Sequence, residues 1–155
     1  MNICQFCGAE IPENGTCRSL YDQLAFYTLA HQNRQFFIHQ LIVDAYGAQH
    51  ATDETKPIAE TFALIGLYLF SEKNYTGRQV QIAHIELGQI KRDYPRFLLP
   101  EHRGNIHVGD ILRVIEGLER DEKIKEWAKM TWEAFRGSRI QVIRILLDAN
   151  FKEIL

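Results

Sequence analysis

The chain has 155 residues, enough to bury a core of its own, and 46% hydrophobic with 25% charged residues excludes a disordered chain. A net charge of −2, with a pI near 6.3, gives no global attraction to nucleic acid or to an anionic membrane. The longest apolar run, FALIGLYLF (Phe62–Phe70), is about half of what a membrane-spanning helix needs, and Met1–Cys7 carries no basic stretch or apolar run of a secretory signal.

All three cysteines stand in the opening seventeen residues, MNICQFCGAEIPENGTC. An odd number makes a poor disulfide framework, and the absence of a signal points to a reducing cytoplasm where thiolates stay free for metal. Cys4-x-x-Cys7 followed by Gly8 has the spacing of a zinc knuckle: two intervening residues turn both sulfurs toward one ion, and glycine tolerates the turn. Cys17 supplies a third thiolate, and soft sulfur donors favour zinc over magnesium or calcium. The competing use of CxxC, thiol–disulfide exchange, needs a βαβ setting that the sequence lacks.

The rest reads as helices. A first helix is expected from about Arg18 to Ala30, with Leu20, Leu24, Tyr27 and Tyr21 on its apolar side. A short HQN turn leads to a second, from about Arg34 to Gln49, with His39, Ile42, Val43, Tyr46 and His50 on one face. Pro57 suits the first turn of a third helix, Ile58 to about Glu72, apolar on most sides and so central. Thr76 with Gln79 resembles a capping box, opening a fourth helix to about Lys91. DYPRFLLPEHRGN is an irregular connector, followed by a short helix over about Val108–Leu118 and a longer one carrying Trp127, Met130, Trp132 and Phe135. Gly137 breaks it from a last helix starting at Arg139. The expected fold is mostly α: one domain over 1–155, a bundle of about six helices, with residues 1–17 a zinc-knuckle segment packed on the first helix pair.

Three thiolates leave a tetrahedral site one ligand short, and a histidine is the natural fourth. The first helix rises about 20 Å and an antiparallel second descends about 23 Å, which brings His50 level with Cys17. His39 lies roughly 16 Å higher and is the weaker alternative. His84 falls in a core stripe, and His102 and His107 fall in the connector, where exposure is the default. Asp44, in a helix rich in apolar residues, needs a partner. A salt bridge to an arginine is the favoured reading, and orienting a zinc-bound histidine is the other.

The stretch HQLIVDAYGAQH (His39–His50), with the CxxCG opening, Cys17 before a helix, LYL in the third helix and EWAKMTWEAF near the end, resembles an uncharacterised bacterial family, domain-of-unknown-function family 5946. The resemblance implies a small helical fold and marks Cys4, Cys7, Cys17, His39, Asp44, Tyr46, Gln49 and His50 as motif positions. It implies no activity. Where the family suggests histidine-rich sequence near the end, this chain has RGSR.

Two classes of function follow. In the first, Zn2+ is closed off by four protein ligands and structural, and the protein is a module binding a protein or small molecule. In the second, a metalloenzyme, the zinc keeps an open position for water, or His39, Asp44 and His84 build a second metal centre. HExxH, GxSxG, the P-loop and the zinc-deaminase arrangement are all absent. Nucleic-acid binding has only the cluster Lys91, Arg92, Arg96 and Arg103 behind it, for which solvated charge is the favoured reading.

Overall fold

The computed structural model describes residues 2–31, 33 and 35–152. Among them are seven α-helices: α1 (Cys17–Ala30), α2 (His39–Gln49), α3 (Pro57–Lys73), α4 (Gly77–Gly88), α5 (Val108–Leu112), α6 (Leu118–Ala134) and α7 (Arg139–Asp148). The fold is mostly α, as the periodicities indicate.

The opening segment holds structure that alternation could not reveal. Strands β1 (Asn2–Ile3) and β2 (Glu10–Ile11) form a two-residue antiparallel hairpin, pairing Asn2 with Ile11 and Ile3 with Glu10. Helix α1 starts where Thr16 Oγ1 accepts from the Ser19 amide and Ser19 Oγ accepts from the Thr16 amide, each at 3.0 Å. This reciprocal cap fixes Cys17 as the first helical residue.

Helix α2 starts at His39, later than expected; the expected start at Arg34 and the turn at Gln32 lie outside the described residues. A turn at Phe37, with φ of 57°, separates it from the preceding loop. Its buried positions are Leu41, Ile42, Asp44, Ala45, Ala48 and Gln49, while Val43 is exposed. The single apolar stripe expected here is therefore replaced by a broader one, because α2 packs against α1, α3, α4 and α6 at once. Helix α3 is the central element expected: every residue from Ala63 to Phe70 is buried. The Thr76–Gln79 capping box is present, but α4 ends at Gly88 rather than Lys91, consistent with glycine's poor helix propensity. The short helix stops at Leu112, not Leu118, and Arg120 from α6 donates to the freed carbonyls of Leu112 and Val114 at 3.1 and 3.0 Å. At Gly137 the chain makes a 3-10 turn, Arg136–Ser138, into α7.

All seven helices contribute to one buried apolar cluster. Inside it, Gln49 is fully buried and fully satisfied. Its amide nitrogen donates to the carbonyls of Arg103 (3.1 Å) and Ile106 (2.8 Å), and its oxygen accepts from Trp127 Nε1 at 3.0 Å. One side chain thus ties α2, the connector and α6 together. Gln49→Leu keeps the volume and strands three buried polar groups. The expected loss is about 2–4 kcal/mol, measured by urea unfolding at neutral pH.

Within the basic cluster, Lys91 and Arg96 are exposed as solvated charge, while Arg103 is drawn into the fold. Arg103 is half-buried and donates to the carbonyls of Ala51 (2.6 Å) and Gln49 (3.0 Å), closing the C-terminal end of α2. Arg96 donates to Thr55 O at 3.1 Å, and Arg92 lies over the Tyr94 ring.

Candidate metal centre

The CxxC turn is set by its own backbone. Gly8 N donates to Cys4 O at 2.9 Å, Cys4 N donates to Ala9 O at 2.8 Å, and Gly8 takes a φ of 80° that a side chain would strain. Amide N–H groups of Cys7 and Phe6 point at the Cys4 sulfur, and that of Ala9 at the Cys7 sulfur.

The antiparallel α1–α2 pair then delivers the other two residues. Cys4, Cys7 and Cys17 sulfurs and a His50 ring nitrogen all lie within 4.8 Å of one another. Cys7 Sγ and Cys17 Sγ are 3.7 Å apart. A tetrahedral ion with metal–sulfur bonds of about 2.3 Å spaces its sulfurs by about 3.8 Å, so the cluster has the dimensions of a metal shell.

His50 carries the most specific signal. Its Nδ1 donates to Tyr46 O at 2.9 Å, which fixes the tautomer and leaves a lone pair on Nε2. That Nε2 is buried and has no hydrogen-bond partner among the described residues. Burial also lowers the pKa of His50, keeping the imidazole neutral, as a metal ligand must be. Tyr46 stacks on the His50 ring (centroids 4.0 Å apart) and on Tyr21 (4.2 Å), so a three-ring column holds the imidazole in place.

The thiols are electrostatically incomplete by themselves. Burial opposes ionisation of Cys4, yet the Cys7 and Phe6 amides outweigh it and lower its pKa. Burial raises Cys7, and burial with the neighbouring Cys4 and Cys7 sulfurs pushes Cys17 far up. Three thiolates cannot share this volume without a cation among them; a divalent ion reverses that cost.

Among the remaining motif residues, His39 lies at the far end of the helix pair, its Nδ1 2.9 Å from Thr28 Oγ1, away from the sulfurs. Asp44 faces α3 at Gly66 and α4 at His84. Among the described residues no arginine pairs with it: its Oδ1 accepts from Gln40 Nε2 at 3.2 Å, and its Oδ2 stands 3.9 Å from His84 Nε2. Asp44 therefore does not orient His50, and of the expected trio His39, Asp44 and His84 only the latter two meet. His107 is a residue the sequence reading missed: rather than exposed, it is packed beside the knuckle, its Nε2 donating to Cys7 O at 2.9 Å. A separation of 100 residues leaves no local signal for that contact.

These features define a helical protein with a thiolate-rich, knuckle-like cluster suited to a metal ion. The chain matches the Family of unknown function (DUF5946) over residues 2–136 and belongs to that family. The matched range holds the hairpin, the cluster and α1 to α6, and ends before α7. No curated protein and no solved structure matches the chain.

Proposed function

We propose that Cys4, Cys7, Cys17 and His50 bind one zinc ion that staples the N-terminal hairpin onto the α1–α2 pair of a cytoplasmic helical binding module. The observation that carries this reading is the buried, unpartnered His50 Nε2 facing three thiols, with its other nitrogen already fixed on Tyr46 O. Thiolate and imidazole donors favour zinc over hard cations. Four protein donors complete a tetrahedral shell, which supports a structural ion over a catalytic one. The hairpin needs such an ion: its own small core is Cys4, Ala9 and Cys17, with Cys7, Ile11 and Tyr46 packed against it. Free thiols of this kind persist in a reducing compartment, and no helix among the described residues is long and apolar enough to cross a membrane. Recognition of a protein or small molecule then falls to the surface, where an apolar groove of about 390 Å³ beside the cluster includes Ile3, Phe6, Ile11 and Tyr46 in its wall.

The test is metal content by elemental analysis, with spectra of the cobalt-substituted protein. Wild type is expected to hold one zinc per chain and to give tetrahedral, thiolate-rich cobalt bands. His50→Ala is expected to lower zinc occupancy and shift those bands. Full zinc content with an unchanged spectrum in His50→Ala would sink the assignment of the fourth ligand.

A further inference from the structure

The groove beside the cluster reaches it at two cysteines, Cys4 and Cys17, each left slightly exposed at 8% and 7%. Cys4 and Cys17 stand in its wall with Phe6, Tyr46 and His50, and the Cys7 Sγ lies 3.7 Å from the Cys17 Sγ. At about 390 Å³ the groove is many times the size of a small peroxide. Of the two wall cysteines, Cys17 is the one whose sulfur stands in contact with the Cys7 sulfur.

We propose that Cys17 is a modification site for small hydroperoxides, with Cys7 as the resolving thiol, so that oxidation ejects the zinc. This rests on the zinc reading given above. The Cys17 sulfur attacks one peroxide oxygen; the S–O bond forms as the O–O bond breaks, and hydroxide leaves to be protonated to water. The Cys7 sulfur then attacks the sulfur of the resulting sulfenic acid. The S–S bond forms as the S–O bond breaks, and the second oxygen also leaves as water. Two thiolates lose two electrons in all, and one hydrogen peroxide with two protons becomes two waters. The disulfide removes two of the four donors, so the ion departs and the hairpin loses its staple. The pair needs little travel, since sulfurs in contact at 3.7 Å close to a bond of about 2.05 Å by side-chain rotation and a small backbone shift.

Zinc-loaded wild-type protein is treated with about one and about ten equivalents of hydrogen peroxide, with released zinc read by a chromogenic chelator. Cleavage after Glu10 and Glu13 separates Cys17 from Cys4 and Cys7, and fragmentation distinguishes the latter two. The expected result is one zinc released per chain, a mass loss of about 2 Da, a crosslink joining Cys7 to Cys17, and recovery of zinc binding after thiol reduction. Cys4→Ser loaded with zinc is expected to form the same crosslink, since neither bridging sulfur is changed. Zinc retained with three free thiols at the higher dose overturns the proposal. So does a Cys4–Cys7 or Cys4–Cys17 bridge, or sulfinic acid at Cys17. Protein that never holds zinc refutes the metal reading instead, and the crosslink map still decides the peroxide chemistry.

Discussion

Stripping the metal with a chelator is expected to free residues 2–16 and lower the melting temperature, while most of the helical signal survives. The two cores explain the split. Cys4, Ala9 and Cys17 form a small cluster separate from the main one, bridged by the half-buried Tyr46, whereas α1 to α7 share an extensive apolar core that includes none of Cys4, Cys7, Cys17 and His50. An ion bound only by the folded state stabilises it by about 4 kcal/mol when its free concentration is a thousand times its dissociation constant. For a chain of this size that corresponds to a fall of about 8–16 °C on removal. Thermal melts with and without chelator measure it, and amide exchange across the hairpin locates it. The Cys4 and Gly8 amides, which close the knuckle turn, are expected to lose protection, and the α3 amides to keep it. An unchanged melt in metal-free protein would mean that the hairpin folds unaided. Collapse of the whole helical signal would mean that the ion holds more than the hairpin.

How far the site was legible depends on the range of each interaction. The CxxCG spacing and Cys17 are local, and the choice of His50 over His39 followed from rise per residue in an antiparallel pair. That reasoning holds in detail: Thr28 meets His39 at one end of the pair, and Cys17 meets His50 at the other. Helix starts were legible where a cap announces them, as at Pro57 and Thr76, and were misplaced where a turn intervenes, as before His39. Periodicity misplaced Val43 because a helix with four neighbours buries more than one stripe. The roles of Gln49, Arg103 and His107 were not legible at all, since each is defined by carbonyls 50 or more residues away in sequence. Asp44 announced itself as costly in the sequence, but its neighbour is a histidine on α4, not an arginine.

That misassigned carboxyl leads to an opposite expectation: Asp44→Asn should stabilise the protein at neutral pH. Asp44 is buried, and its Oδ2 has no hydrogen-bond partner. It is also crowded against α3, where a Cβ on Gly66 would lie 1.9 Å from that oxygen. Burial pushes its pKa well above the usual carboxylate value, and the hydrogen bond from Gln40 offsets this only in part. Across the gap, burial drives His84 down to about 4, so burial disfavours the charged form of both groups. A further titratable neighbour among the described residues is the Tyr21 phenol of α1, which stays protonated in this range because burial raises its pKa. With its folded pKa raised, Asp44 holds a proton that the unfolded chain releases above about pH 3.9. Wild type therefore loses stability from this group as pH climbs from there toward the folded pKa. Asparagine keeps the shape, can accept from Gln40 as the carboxyl does, and carries no charge to desolvate. The variant is expected to gain about 1–3 kcal/mol at pH 7 and to lose that advantage near pH 3, as read from urea unfolding at both values. A variant less stable than wild type at pH 7 would show that the carboxylate is needed ionised, in an ion pair with a protonated His84. Equal stability at both values would mean that the cost of burying this group is already relieved, for example by a bound water between Asp44 Oδ2 and His84 Nε2.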